Sequence, residues 1–141
     1  TNTEEVLERL SLNLSEAKQV DSLVFLTKLL KNYADNAALT YANEAYQLAF
    51  ENYWKTARAV SAYYLAVLKG ENVSYGESIE DALVDARISQ RLFGQLDNPT
   101  WKAKANSLLG YLYNRQSKQD SAKVYLFQTL EDLKNPNIKP Q

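Results

Sequence analysis

The chain has 141 residues, with 16 lysines and arginines against 17 aspartates and glutamates, and it contains neither cysteine nor histidine. That length predicts one domain, and a hydrophobic content of 45% is enough for a core. The missing residue types exclude thiol nucleophiles, Ser-His-Asp triads, imidazole acid–base chemistry and zinc sites of the usual kind, while a net charge of −1 with scattered cations argues against a nucleic-acid partner.

The chain begins at Thr1 and has no Met, as an excised fragment or mature form would. No apolar run approaches the roughly 20 residues of a membrane span. Apolar residues recur at three- and four-residue steps with few Gly or Pro interruptions, and strand-like alternation is missing, so the prediction is all-α. Thr3 ahead of Glu4 and Glu5 caps a leading helix over 3–19. A second runs from Val20 to Ala34 on a stripe of Leu23, Leu26, Leu29, Leu30 and Tyr33. Asp35 or Asn36 caps a third, ending near Asn52. The fourth runs from Trp54 to Lys69 and is expected to stop at Gly70. After a loop over 70–78, Ser78 and Asp81 form a capping box for the fifth. Asn98 followed by Pro99 opens the sixth. Ser117 with Asp120 is read as the cap of the seventh, which frays at Asn135-Pro136. On that last helix Ala122, Tyr125 or Leu126, Thr129, Leu130 and Leu133 share one face.

These helices fall into register. Ala38, Ala82 and Ala122 begin equivalent helices, at steps of 44 and then 40 residues. Leu65-Ala66 lies 28 residues after Ala38 (66 − 38), as Leu109-Gly110 lies 28 after Ala82 (110 − 82). The four extra residues of the first step fall in loop 70–78, where an insertion costs little. The pattern Leu109-Gly110-x-x-Tyr113…Ala122 resembles the tetratricopeptide repeat. Small residues at 110 and 122 let two helices approach, and Tyr113 fills the space to the next pair. Asn106, Ala66 and Lys69 depart from the pattern, and the step of 40 exceeds the usual 34 or so. The resemblance implies a right-handed α-α superhelix of about three hairpins and about seven helices, spanning 1–141 as a single domain. Its parts are an N-terminal helix (3–19), repeats over 20–52, 54–95 and 98–134, and a tail (135–141). The stretch 37–59, with Ala38-Leu39-x-Tyr41-Ala42-x-Glu44-Ala45-x-x-Leu48-Ala49, is similar to the helical repeats in the sensor regions of Bacteroidetes-type membrane proteins, which precede a histidine kinase module or a helix-turn-helix transcription regulator.

In such arrays the first helix of each hairpin lines a concave face. In the second repeat this places Val60, Tyr63, Tyr64 and Val67 on that face. In the third it places Lys104, Ser107, Leu108, Tyr111, Asn114 and Arg115 there, giving an aromatic groove with a basic end at Lys104 and Arg115. Tyrosine suits a contact surface, with a large apolar area, few rotors and one hydroxyl. Tyr113 and Tyr125 are read as packing residues, while Tyr63, Tyr64 and Tyr111 are open to either role. Co-chaperone members of the family hold a peptide carboxylate with Lys and Asn, but Leu108 and Tyr111 stand here where Asn is needed. Glu77, Glu80, Asp81 and Asp85 are read as a solvated face supporting a helix start. Trp54 and Trp101 are read as wedges at hairpin junctions. Asn13-Leu14-Ser15 and Asn72-Val73-Ser74 match the glycosylation sequon, a short and common signal.

The expectation is therefore a non-catalytic protein- or peptide-binding domain. No catalytic residue, cofactor or metal is expected. It would be the sensing or interaction region of a bacterial signal-transduction protein, in the periplasm or otherwise outside the cytoplasm. Its partner would be a protein, a peptide or another copy of itself, not nucleic acid, with no membrane contact by these residues although a membrane helix can follow. The alternative is a cytoplasmic scaffold or homo-oligomerisation module.

Overall fold

The structure is a computed structural model that describes residues 36–71 and 78–138 together with Asp21 and Val24. The leading helix, most of the second, both sequons, Asp35, Glu77 and Pro140 lie outside the described residues. Asp21 and Val24 are helical, as the second predicted helix requires. The third to seventh predicted helices are all present: α1 (Asn36–Glu51), α2 (Lys55–Glu71), α3 (Ile79–Gln95), α4 (Pro99–Arg115) and α5 (Gln119–Asp132). Among the described residues there is no strand, and no helix is long and apolar enough to cross a membrane.

Two starts are capped as the sequence predicts. The Ser78 hydroxyl accepts the Asp81 N–H at 3.1 Å and donates to the Asp81 carboxylate at 2.9 Å. Asn98 Oδ1 accepts the Trp101 N–H at 3.2 Å, with Pro99 at the first helical position. Each cap satisfies a donor that the helix end would otherwise leave orphaned.

Two expectations are corrected. Gly70 does not stop α2, which continues to Glu71. Its missing Cβ serves packing instead, because a Cβ there would stand 2.7 Å from Leu112 Cδ2 on α4. Ser117 does not cap α5. Lys118 holds the N-cap position without a side-chain bond, and Ser117 sits at φ 60° just past the end of α4.

That conformation belongs to a turn used three times. Tyr53, Asp97 and Ser117 all adopt positive φ, each one residue beyond a helix C-cap and one before the next N-cap. In each case the N-cap N–H donates to a carbonyl five residues back: Trp54 to Ala49 at 2.9 Å, Asn98 to Phe93 at 3.1 Å and Lys118 to Tyr113 at 3.0 Å. This is the αL stop in which a backbone bond consumes an orphan carbonyl. A glycine would fill the position without steric cost, yet all three occupants carry a Cβ.

Consecutive helices pack on one another, and α2 also touches α4. The largest core cluster joins four helices through Ala66, Ala82, Leu83, Ala86, Leu109, Leu112, Tyr113 and Ala122. A second joins α1 to α2 through Ala38, Ala42, Leu65 and Leu68. Alanine dominates these seams, so the helix axes approach closely. Gly110 extends that logic: a Cβ there would stand 2.8 Å from Leu126 Cδ2 on α5. Tyr113 and Tyr125 stack at 5.4 Å across the same hairpin, in the packing role expected of them.

Both tryptophans lie half-buried at helix junctions. Trp101 stacks on Phe93 of α3 at 5.1 Å, and Trp54 packs beside Ala45 of α1.

Candidate binding groove

A cavity of about 430 Å³ opens between α2 and α4, lined by Tyr63, Tyr64, Val67 and Glu71 from one helix and Lys104, Leu108 and Tyr111 from the other. The helical period puts these residues together, since 63/64, 67 and 71 repeat at one-turn steps, as do 104, 108 and 111.

Six of the ten residues singled out from sequence line this cavity. Their burial grades them: Tyr64 is buried, Tyr63 half-buried and Tyr111 exposed. Tyr63 and Tyr64 meet edge to face at 5.4 Å, and Tyr63 meets Trp101 the same way at 5.3 Å. Such pairs are each worth about 0.5–1.5 kcal/mol beyond their burial. They also hold the tyrosine rings in place before any ligand arrives. Burial, with the nearby Tyr64 phenol adding to it, raises the Tyr63 pKa above 10.0, and burial does the same for Tyr64. Both hydroxyls therefore stay neutral donors and acceptors through the ordinary pH range.

The other four fall elsewhere. Val60 lines a separate cavity of about 360 Å³ with Asp21, Val24 and Trp54. Ser107 and Asn114 are exposed and do not line the groove. Arg115 donates to the Gly70 carbonyl, and its guanidinium lies 6.0 Å from the Tyr111 ring centre. The single basic end expected from Lys104 and Arg115 is corrected by helix geometry. Eleven residues of α-helix separate their backbones by about 16 Å along α4. Lys104 lines the groove and Arg115 does not. Lys104 Nζ rests 4.2 Å from the Trp101 ring centre.

Two contributors escaped the sequence. Glu71 was lost because Gly70 was expected to end α2; one further residue of helix sets Glu71 one turn beyond Val67. Trp101 was assigned to the α3–α4 junction, and it does stack there, but its other edge braces Tyr63. Its position three residues before Lys104, the helical neighbour spacing, was the available signal.

The acidic run is also corrected. Asp81 supports the helix start, and Glu80 is exposed, but Asp85 is buried and pairs with Lys69 of α2 at 2.8 Å. Among the described residues no three of Asp, Glu, His or Cys gather as metal ligands would. Comparison with known proteins found no matching family model, no matching curated protein and no matching solved structure.

Proposed function

We propose that this chain is a binding domain without catalysis, a tetratricopeptide-like array that takes a peptide or protein segment in the groove between α2 and α4. The observation that carries the reading is the cavity itself, where pre-set tyrosines and Glu71 line one wall and Lys104, Leu108 and Tyr111 the other. An occupant suited to it has an apolar or aromatic side chain for the space between Tyr63, Val67 and Leu108. The array reading is supported by the shared turn at three junctions, by the α2–α4 contact and by the close approach at Gly110 and Ala122.

The placement in an extracytoplasmic sensor of a bacterial signalling protein rests on the likeness of residues 37–59. The sequences flanking this chain in its full-length protein test it: a membrane helix followed by a kinase or DNA-binding module is the expected finding. In such a protein, occupancy of the groove would stiffen a stack whose units couple only to their neighbours.

Binding is tested by selecting peptides from a random library on the immobilised chain and measuring the enriched sequences by calorimetry. Tyr111→Ala, at an exposed position, should weaken them at least tenfold, as removal of an aromatic anchor does. Peptides indifferent to both Tyr111→Ala and Lys104→Glu, or no enrichment at all, would sink the reading.

A further inference from the structure

A cavity of about 280 Å³ opens where α1 passes into α2, with Phe50, Glu51, Tyr53, Trp54, Lys55 and Arg58 in its wall. The backbone turn at its base recurs at Asp97 and Ser117. Counted from the residue of positive φ, the places seven before, three before and five after hold Tyr46, Phe50 and Arg58 here. At the other two turns the same places hold Gln90, Gly94 and Lys102, and then Gly110, Asn114 and Ala122. The cluster of two rings and an arginine is therefore not what builds the turn.

Neither is the tyrosine. Tyr53 takes the left-handed conformation with its ring almost fully in solvent, so it bears the strain of a Cβ at φ 60° without gaining burial. Phe50 beside it is 51% exposed. A bulky residue held in a sparsely populated conformation is a mark of ligand clamps.

Arg58 is held in place by its neighbours. Its Nε donates to the Tyr46 hydroxyl at 3.1 Å, and its guanidinium lies 4.9 Å from the Phe50 ring centre and 5.6 Å from that of Tyr46. The two rings stack one turn apart on α1. Among the described residues no carboxylate pairs with Arg58. Glu51, the acid in this wall, accepts from Gln47 Nε2 at 2.9 Å instead. With Lys55 the wall carries two cations against one anion. A pre-set arginine fork takes a carboxylate in two parallel bonds. Exposed aromatic faces beside it take a flat ring. The volume lies at the lower end for small-molecule sites and limits the ligand to one ring or two fused rings.

We propose that this turn is a binding site for a small aryl carboxylate, with the ring of the ligand against Phe50 and Tyr53 and its carboxylate on Arg58, Lys55 standing beside it. The site is separate from the groove between α2 and α4, so the two stand or fall independently.

An NMR titration of the full 141-residue chain with indoleacetate tests this. The Trp54 indole N–H and the backbone amides of Tyr53 to Arg58 should shift together while the Trp101 indole stays in place, with a dissociation constant on the order of 1 mM. Tryptamine, which replaces the carboxylate with an ammonium, and acetate, which lacks the ring, should each bind at least tenfold more weakly. Arg58→Gln should weaken indoleacetate at least tenfold, and Arg58→Lys about fivefold, because a point charge does not replace the fork. Arg58 also packs on α1, so Tyr53→Gly supplies the cleaner split: it should hold or raise Tm by relieving the left-handed residue, and still weaken indoleacetate about fivefold. Tryptamine binding as tightly as indoleacetate would give the pocket to Glu51 and overturn the proposal. A tripeptide ending in phenylalanine that binds tenfold tighter than indoleacetate would overturn it too, by assigning the site to a chain terminus. Shifts scattered away from the turn, or binding indifferent to Tyr53→Gly, overturn it equally.

Discussion

The hairpins α2–α3 and α4–α5 answer the same packing problem with different chemistry. Where Lys69 pairs with Asp85 in the first, Tyr113 stacks on Tyr125 in the second, at the same register positions. Where the first sets Ala66 and Ala86 in one buried cluster, the second sets Gly110 beneath Leu126. In the second hairpin the bulk sits on one helix, and the other yields space to it. The two hairpins thus fill matching register positions with different residues.

The largest way to break this comparison is to remove half of the ion pair. Lys69→Ala removes the Lys69 ammonium from the buried Asp85 carboxylate, and a loss of about 1–3 kcal/mol is expected by urea unfolding. The double variant Lys69→Tyr/Asp85→Tyr, which transplants the other hairpin's solution, should recover most of that loss. Should it instead lose as much as the single variant, the two slots are not equivalent.

Next come the close approaches. Gly70→Ala drives a Cβ into Leu112, which is fully buried and has nowhere to go, so a loss of about 1–2 kcal/mol is expected despite the better helix propensity. Gly110→Ala meets Leu126, which is half in solvent, and should lose about 1 kcal/mol. Adding Leu126→Ala should restore it, since the pair then matches Ala66 and Ala86; a double-mutant cycle with no coupling would count against the volume argument.

Smaller still is the turn. Ser117→Gly should stabilise the protein by about 0.5–1 kcal/mol, seen as a Tm rise of a few degrees, because it relieves a left-handed residue at no loss of side-chain contact. A fall in Tm would mean that Ser117 does more than turn the chain.

The smallest effect is in alkali. Tyr63 and Tyr64 have folded pKa values raised above the ordinary 10.0. The folded state then holds protons that the unfolded state releases. Their contribution to stability is complete below pH 10 and is lost as pH rises through the folded values. Tyr63→Phe and Tyr64→Phe should each flatten the fall in stability above pH 10, and each should remove a late-ionising phenol from the 295 nm titration. An identical alkaline slope in both variants would refute the burial assigned to these rings.

The helices and the groove face were legible in the sequence because both follow from a 3.6-residue period, which needs no knowledge of neighbours. Ser78 and Asn98 were legible as caps for the same reason: their partners lie three residues away. Ser117 was misread because a serine before a helix looks the same whether it ends one helix or starts the next, and only backbone φ separates the two. Gly70 was misread because a helix-breaking residue and a residue yielding space to Leu112 are both glycine. Asp85 looked like one more acid on a helix start until Lys69 arrived from another helix. The stripe of α5 was legible as one face, and part of it turns inward through Ala122, Tyr125 and Thr129. That Leu126, Leu130 and Leu133 are exposed is a matter of which helices pack nearby, which no local pattern encodes.

The three αL turns have a further consequence. Each is closed by main-chain bonds, so the angle at which one helix meets the next does not depend on which side chains occupy the turn: a tyrosine that is 93% exposed, an aspartate and a serine give the same geometry. Shape and recognition are thereby inherited separately. On the proposed reading, mutations along the groove can drift toward new ligands without altering the turns that set the helices, and a lineage of such domains can diversify its specificities on an unchanged frame.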